Sequence, residues 1–490
     1  MTEARKLHWA EARPWQTNVA LILIGCGLVG FTRQLVSEYG HYTIGFSGVS
    51  SSMLVLYLGA VLIFLIKPSN VNRYTFSIIV FFAIACRLVA LLPTPYLSTD
   101  VYRYCWDGVV QHAHINPYRY VPGDARLSFL RAPNQNVYDH INRRDYARTI
   151  YPPAAQMLFY LITFVSPTVT FMKTVMVLFE GLAMFGLVKL LRELGLQREW
   201  TLLYAWFPML IWEFAGSGHL DSIVIAFMVF ALLNRYRDQP VLTGLFLGLA
   251  VLTKFYPLVL FPALYRRGDW KMPATMAGLT VLLYTPYLGA GKMVFGFLGG
   301  YVDEEGMTSG ARYFLLEFAQ HLPGLHAVSS TGYIGFVAAV FVALMVWAWR
   351  TGCREDSSRD AFMWPAFGLA LALMLLFSPH YPWYVAWLVP FIVLLPNLTV
   401  MTYVCGLFYL CTTALATGYG PKQYQLNQIL YSVVAIAFMI EIVGRRVPLV
   451  REWCDSLTAP QRLKPDHLAD TYGTAEAVRF SKTGSPMRHI

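Results

Sequence analysis

Asp100, Arg103, Asp107, Gln111 and His114 recur at three- and four-residue steps, the spacing that puts side chains on one face of a helix. Tyr102, Trp106, Val109 and Ala113 fall on another face of the same stretch. One carboxylate in such a row suffices to take a proton from a hydroxyl, and a neighbouring cation suffices to meet negative charge as a bond breaks. A helix with one ionisable and one aromatic–aliphatic stripe suits a membrane–water boundary. The expectation is an interfacial helix whose charged face turns to an active site.

Four further polar clusters interrupt apolar sequence. They are Glu213 with Gly216-Ser217-Gly218-His219-Leu220-Asp221; Thr253-Lys254-Phe255-Tyr256-Pro257; Asp303-Glu304-Glu305 with Arg312; and Ser378-Pro379-His380-Tyr381-Pro382-Trp383-Tyr384. Ionisable groups at membrane depth are costly and mark function. Asp100 is the candidate base. Arg103, Lys254 and His380 are candidates to hold a phosphate, and Asp107, Asn116, Tyr118, His219, Asp221 and Trp383 to orient a sugar or an acceptor. Several of these have a plainer alternative. Asp100 and Asp221 are also placed to cap the helices that follow them, with His219 a turn residue. Asp107 is also an i,i+4 partner for Arg103. Lys254 is also placed to reach lipid headgroups, and Trp383 and Tyr384 to sit in an aromatic belt. Asp303, Glu304 and Glu305 read as a solvated loop, and Arg119, Arg126 and Arg143-Arg144 as solvated surface. His112 and His114 with Asp107 have poor helical spacing for a metal, so no metal site is expected.

The elements that must position these groups are apolar. The chain has 490 residues, 56% of them hydrophobic and 13% charged, against roughly 25% charged in soluble domains. Apolar runs of spanning length recur from Val19 to Val443, so the chain reads as an all-α, polytopic membrane protein. The net charge of +10 does not point to nucleic acid, because the basic residues sit in short links between spans, where they set orientation. Seven scattered cysteines (Cys26, Cys86, Cys105, Cys353, Cys405, Cys411, Cys454) form no metal-type pair and no disulfide framework. The start is basic and no cleavable signal precedes the first span, which places the N-terminus in the cytoplasm.

Alternation from there gives about 13 to 14 crossings. The spans expected first are Val19–Ser37, Ser51–Ile66 and Thr75–Leu92, with a partly embedded Pro152–Val165 and then Val169–Leu191. Thr201–Ala215, Ile223–Leu233, Leu242–Thr253, Tyr256–Leu264 and Ala274–Leu288 follow, and then Gly332–Trp349, Phe362–Phe377, Tyr384–Leu395, Leu398–Ala416 and Ile429–Val443. Residues 1–447 form the membrane domain, with long extracytoplasmic loops at 93–151 and 289–330 that bear interfacial helices. Residues 448–490 form a basic cytoplasmic tail suited to an anionic lipid surface. In this threading every polar cluster lands on the outer face, which implies one extracytoplasmic cavity.

A cavity with carboxylates, cations and aromatics suits transfer of a sugar from a lipid-linked phosphate. Nucleotide sugars are cytoplasmic, so an outward-facing enzyme needs a donor that the bilayer carries, and no phosphate-cradling glycine loop appears. The string Ser98-Thr99-Asp100-Val101-Tyr102-Arg103-Tyr104-Cys105-Trp106-Asp107-Gly108, with Asn116-Pro117-Tyr118 and Tyr151-Pro152-Pro153, resembles the first outer loop of bacterial GT-C membrane glycosyltransferases. Within these it is most similar to polyprenyl-phosphate-mannose-dependent mannosyltransferases. Gly218-His219-Leu220-Asp221, Thr253–Pro257 and Ser378–Tyr384 resemble later motifs of that group, in the same order.

The resemblance implies a GT-C-like fold, inverting and metal-independent transfer of a hexose such as mannose to a glycan or glycolipid acceptor, and Asp100 as the base. The lipid-linked donor is then the substrate, and no cofactor is expected. One departure is that two additional spans precede the loop here. The rival readings are a transporter or flippase of lipid-linked sugars, which would show polar groups on both sides of the midplane or an inverted repeat, and a polymerase or ligase of lipid-linked glycans.

Overall fold

The computed structural model describes residues 14–37, 44–66, 71–95, 98–310, 313–352, 358–378, 381–417 and 423–444. His380, Arg312 and the tail expected at 448–490 lie outside the described residues. Helices make up all the regular structure among the described residues. The main ones are α1 (Pro14–Ser37), α2 (Ile44–Ile66), α3 (Arg73–Leu91), α4 (Asp100–His112), α5 (Pro153–Val165) and α6 (Val169–Glu193). They continue as α7 (Pro208–Gly216), α8 (Asp221–Tyr236), α9 (Pro240–Thr253), α10 (Lys271–Tyr284), α11 (Leu298–Glu304) and α12 (Phe314–Gln320). The last five are α13 (Ser330–Gly352), α14 (Met363–Phe377), α15 (Pro382–Leu394), α16 (Leu398–Thr417) and α17 (Gln423–Gly444).

Seven helices are long and apolar enough to cross a membrane, or eight if the bent pair α7 and α8 is one span. The protein is an all-α, multi-pass membrane protein. The expected 13 to 14 crossings are not all met by helices of that length: α5, α9, α14, α15 and the described part of α16 are shorter apolar helices. Prolines and glycines account for the interruptions. Pro208 opens α7, whose second half is a π-helical turn at Ile211–Gly216, and α8 leaves it at 118° after Ser217 and Gly218. Pro257 and Pro262 likewise turn the expected span Tyr256–Leu264 into a 3₁₀ turn and a single helical turn.

Polar side chains fix how the long helices meet. Asn72 caps α3 by accepting from the Tyr74 amide at 2.9 Å, while Thr75 Oγ1 accepts from the Asn72 amide at 3.0 Å. Asn18 of α1 donates to Asn72 Oδ1 and accepts from Thr75 Oγ1, so α1 and α3 are tied at one end. Deeper in, Arg87 of α3 grips Glu180 of α6 through two hydrogen bonds of 3.1 and 2.6 Å, and its third nitrogen donates to the carbonyl of Ala205.

Val101 through Gly108 of α4 are all buried, so both stripes of this helix are enclosed by protein. The segment that follows it folds over it: Tyr102 stacks on His140 at 4.6 Å and Trp106 packs on Tyr138 at 5.2 Å. His114 leaves the expected stripe, because the helix ends at His112 and His114 adopts φ 57°.

Candidate active site

Asp100 opens α4, and its own amide donates to Ser98 Oγ at 3.2 Å. The chain leading to it is anchored from behind. Lys173, buried on α6, donates to the carbonyls of Leu91 at 3.0 Å and Pro93 at 2.7 Å, closing the end of α3. Gly218 meets the same anchor with φ +76°, where an added Cβ would lie 2.9 Å from Lys173 Cγ and 3.0 Å from Val101 Cγ2. The Asp100 carboxylate accepts from Asn142 Nδ2 at 3.2 Å, lies 4.0 Å from His219 Nδ1, and keeps 27% side-chain exposure. Burial raises its pKa above the ordinary carboxylate range, and the Asp221 charge adds to the rise. The Asn142 hydrogen bond and the Lys254 and Arg143 charges work against it.

That carboxylate faces a cavity of about 360 Å³. Arg103, Asn142, Arg143 and Arg148 line it from the long polar segment 93–151, Phe297, Tyr301 and Glu305 from the second such segment, 289–330, and Lys254 with Tyr381, Trp383 and Tyr384 from the other motifs. Lys254 follows the last residue of α9 with extended backbone, so its side chain leaves the helix line. Its ammonium donates to both oxygens of the fully buried Asp221, at 2.9 and 2.8 Å, and stands 4.8 Å over the Tyr384 ring. Tyr256 donates to the same Asp221 at 3.0 Å. Asp221 therefore aims Lys254 rather than lining the cavity itself. Tyr381, Trp383 and His219 form one aromatic stack, with centroids 4.4 Å apart for the first pair and 4.2 Å for the second.

The candidates separate on this geometry. Asp100, Arg103, Lys254 and Trp383 share the cavity wall, with His219 directly behind Trp383. Asp107, Asn116 and Tyr118, expected to orient sugar, are spent on packing and are not brought to that wall. Asp107 accepts from Arg103 Nε at 2.8 Å and from Gln156 Nε2 at 2.9 Å. Asn116 accepts from the Tyr118 amide and donates to the Tyr287 carbonyl, and the Tyr118 hydroxyl donates to the Tyr151 carbonyl at 2.7 Å. His380 lies outside the described residues.

Asn142, Arg143, Tyr301, Glu305 and Tyr381 are site residues that sequence reasoning missed. Arg143 and the 303–305 acids, expected in solvent, meet across the cavity rim: Arg143 Nε donates to Glu304 Oε2 at 2.7 Å. The one signal for this in the sequence is the opposite net charge of the two long polar segments, 93–151 and 289–330. Tyr301 and Tyr384 join through their hydroxyls, so the second segment is pinned on both sides.

Gly296 makes that docking possible. It has φ +56°, and a Cβ there would lie 1.6 Å from the Thr149 carbonyl oxygen, which accepts from the Phe297 amide at 3.3 Å. Gly296→Ala is expected to lift Phe297 and Tyr301 off the rim and to lower turnover about tenfold or more, since overpacking and left-handed backbone each cost about 1–3 kcal/mol. Thermal unfolding should move less than turnover does, because the segment can undock at Gly296 and shed the clash without opening the helices. A variant with native turnover would refute this docking role.

Residues 17–266 of the 490 match the family described as alpha-(1->6)-mannopyranosyltransferase, N-terminal domain. The chain belongs to this family. The mannosyltransferase match bears out the GT-C resemblance, and the protein is a membrane glycosyltransferase. Among curated proteins and solved structures nothing matches the chain. The matched part of this mannosyltransferase-family chain carries Asp100, Arg103, Asn142, His219, Asp221 and Lys254. The aromatic wall at Tyr301, Tyr381, Trp383 and Tyr384 lies beyond it.

Proposed function

We propose that the protein transfers mannose from a polyprenyl-phosphate donor to a hydroxyl of a glycan or glycolipid acceptor, with inversion and with Asp100 as general base. The observation that carries this reading is the meeting of one partly exposed carboxylate, several cations and an aromatic wall in a single cavity. Asp100 takes the acceptor proton as the acceptor oxygen attacks the anomeric carbon. The bond from that carbon to the phosphate oxygen breaks, and its electron pair leaves on the phosphate. Lys254, Arg103, Arg143 and Arg148 face the space in which that charge develops, and His380 stays a candidate for the same duty. Trp383, Tyr384 and Tyr301 supply faces on which sugar rings pack. An extracytoplasmic cavity in a bacterial plasma membrane is part of this reading; Arg192, Arg198, Arg235, Arg237 and Arg266, in links that the threading puts opposite the cavity, support it.

Cations supplied by side chains make a metal unnecessary. Purified protein given polyprenyl-phosphate mannose and a mannoside acceptor should release free polyprenyl phosphate, and should do so equally with EDTA present. A transporter moves the donor and releases none. No release from this donor would overturn the reading, and release abolished by EDTA would overturn its metal-independent form.

A further inference from the structure

Glu213 and His219 lie behind the base and take no part in the transfer as written above. Glu213 is in the π turn of α7 and His219 in the bend before α8, with side chains only 2% and 1% exposed. The bend is itself closed by a hydrogen bond from the His219 amide to the Glu213 carbonyl at 2.9 Å. His219 Nε2 lies 3.4 Å from Glu213 Oε2, and each of these two buried atoms is without a hydrogen-bond partner among the described residues, so the contact is one that a small shift would close. The opposite ring nitrogen, Nδ1, faces Asp100 Oδ2 at 4.0 Å. Stacking on Trp383 holds the ring in this plane. The result is an imidazole with a carboxyl at one ring nitrogen and, at the other, the carboxylate proposed to meet the acceptor.

We infer that Glu213 and His219 are positioning residues for Asp100: the Glu213 carboxyl donates to His219 Nε2, which fixes the tautomer whose Nδ1–H aims at and orients the Asp100 carboxylate. The inference rests on Asp100 being the base. Its charge logic is local. The groups facing this trio are Lys254, Asp221, Arg143, the hydroxyls of Tyr104 and Tyr151 beside Asp100 and, on α16, Cys411. Lys254 is committed to both oxygens of Asp221, and Arg143 lies on the far side of Asp100 and pairs with Glu304. No ion pair is made to Glu213 by either cation. Three carboxyls in one enclosed place do not all ionise: Asp221 has Lys254, Asp100 has the Asn142 amide and 27% side-chain exposure, and Glu213, 2% exposed with neither, keeps its proton and serves as a donor. The Nδ1–H then stabilises the ionised base and holds it for the acceptor.

The test compares Glu213→Gln, Glu213→Leu and His219→Phe in the donor assay across pH. The amide of Gln donates to Nε2 as the protonated carboxyl does, so kcat should stay within about threefold of native. Leu and Phe remove the aimed donor, so kcat should fall about tenfold or more with donor KM unchanged. The acidic limb of kcat should also move to higher pH, because a carboxylate that loses an N–H donor binds its proton more tightly. Phe keeps the stack on Trp383 and carries the test if the Leu variant does not fold. A Gln variant as damaged as Leu, or an acidic limb unmoved in Leu and Phe, would overturn the inference. Native transfer by Asp100→Asn would instead remove the base itself, so the two failures are distinguishable.

Discussion

Replacing Asp100 by Asn is expected to lower kcat for transfer about 10²–10⁴-fold, the usual contribution of one positioned base, while the protein stays folded. The amide keeps the shape of the carboxylate and its oxygen still accepts from Asn142, which lies 3.2 Å away. Donor KM should change little, because the cations that face the phosphate are other residues. Release of polyprenyl phosphate by the purified variant is the measurement, and a native rate would exclude Asp100 as base. The native pH profile carries the same signature. The base works only when ionised, and burial raises its pKa, so transfer should fall on the acid side at a pH above the ordinary carboxylate range. Rising pH restores it.

The largest effect on stability is expected away from the cavity, at Arg87 and Glu180. Their side chains are 5% and 1% exposed, and the guanidinium also holds the Ala205 carbonyl. Glu180→Ala would leave that cation buried without its partner, which costs about 3–5 kcal/mol. The double variant Arg87→Met, Glu180→Leu should recover most of the loss, because two apolar side chains of similar size need no compensation. Thermal unfolding in detergent compares them. A Glu180→Ala variant as stable as the native protein would show that the pair does not hold α3 and α6 together.

The spans were legible because their signal is collective. A run such as Val169–Glu193 needs no single residue to announce it, and the expected and observed bounds differ there only at one end. The interruptions were less legible. Pro208 and Pro257 mark where a helix yields, but the π turn at Ile211–Gly216 is a tertiary choice with no periodic signature. In the site, Asp100, Lys254 and Trp383 stood out as polar or aromatic groups next to apolar runs. Asn142, Arg143, Tyr301 and Glu305 did not, because in irregular outer segments a solvated charge and a cavity-lining charge have the same local sequence. Arg143 becomes recognisable only once Glu304, far along the chain, is placed 2.7 Å from it. Asp107 went the other way: the plainer alternative, an i,i+4 partner for Arg103, is what the structure shows, and its second oxygen accepts from Gln156 while Arg103 alone reaches the cavity.

The seam between the cavity's two walls bears on how the enzyme is made. Asp100, Arg103, Asn142 and Lys254 belong to the first 254 residues, whereas Tyr301, Trp383 and Tyr384 arrive only later. Ribosomal synthesis delivers the polypeptide from its N-terminus, and the first portions settle before the last emerge. A nascent chain therefore holds its full complement of reactive groups long before it has a chamber to use them in. Catalytic competence comes late in biogenesis, when the concluding helices enter the bilayer and close the aromatic side of the pocket.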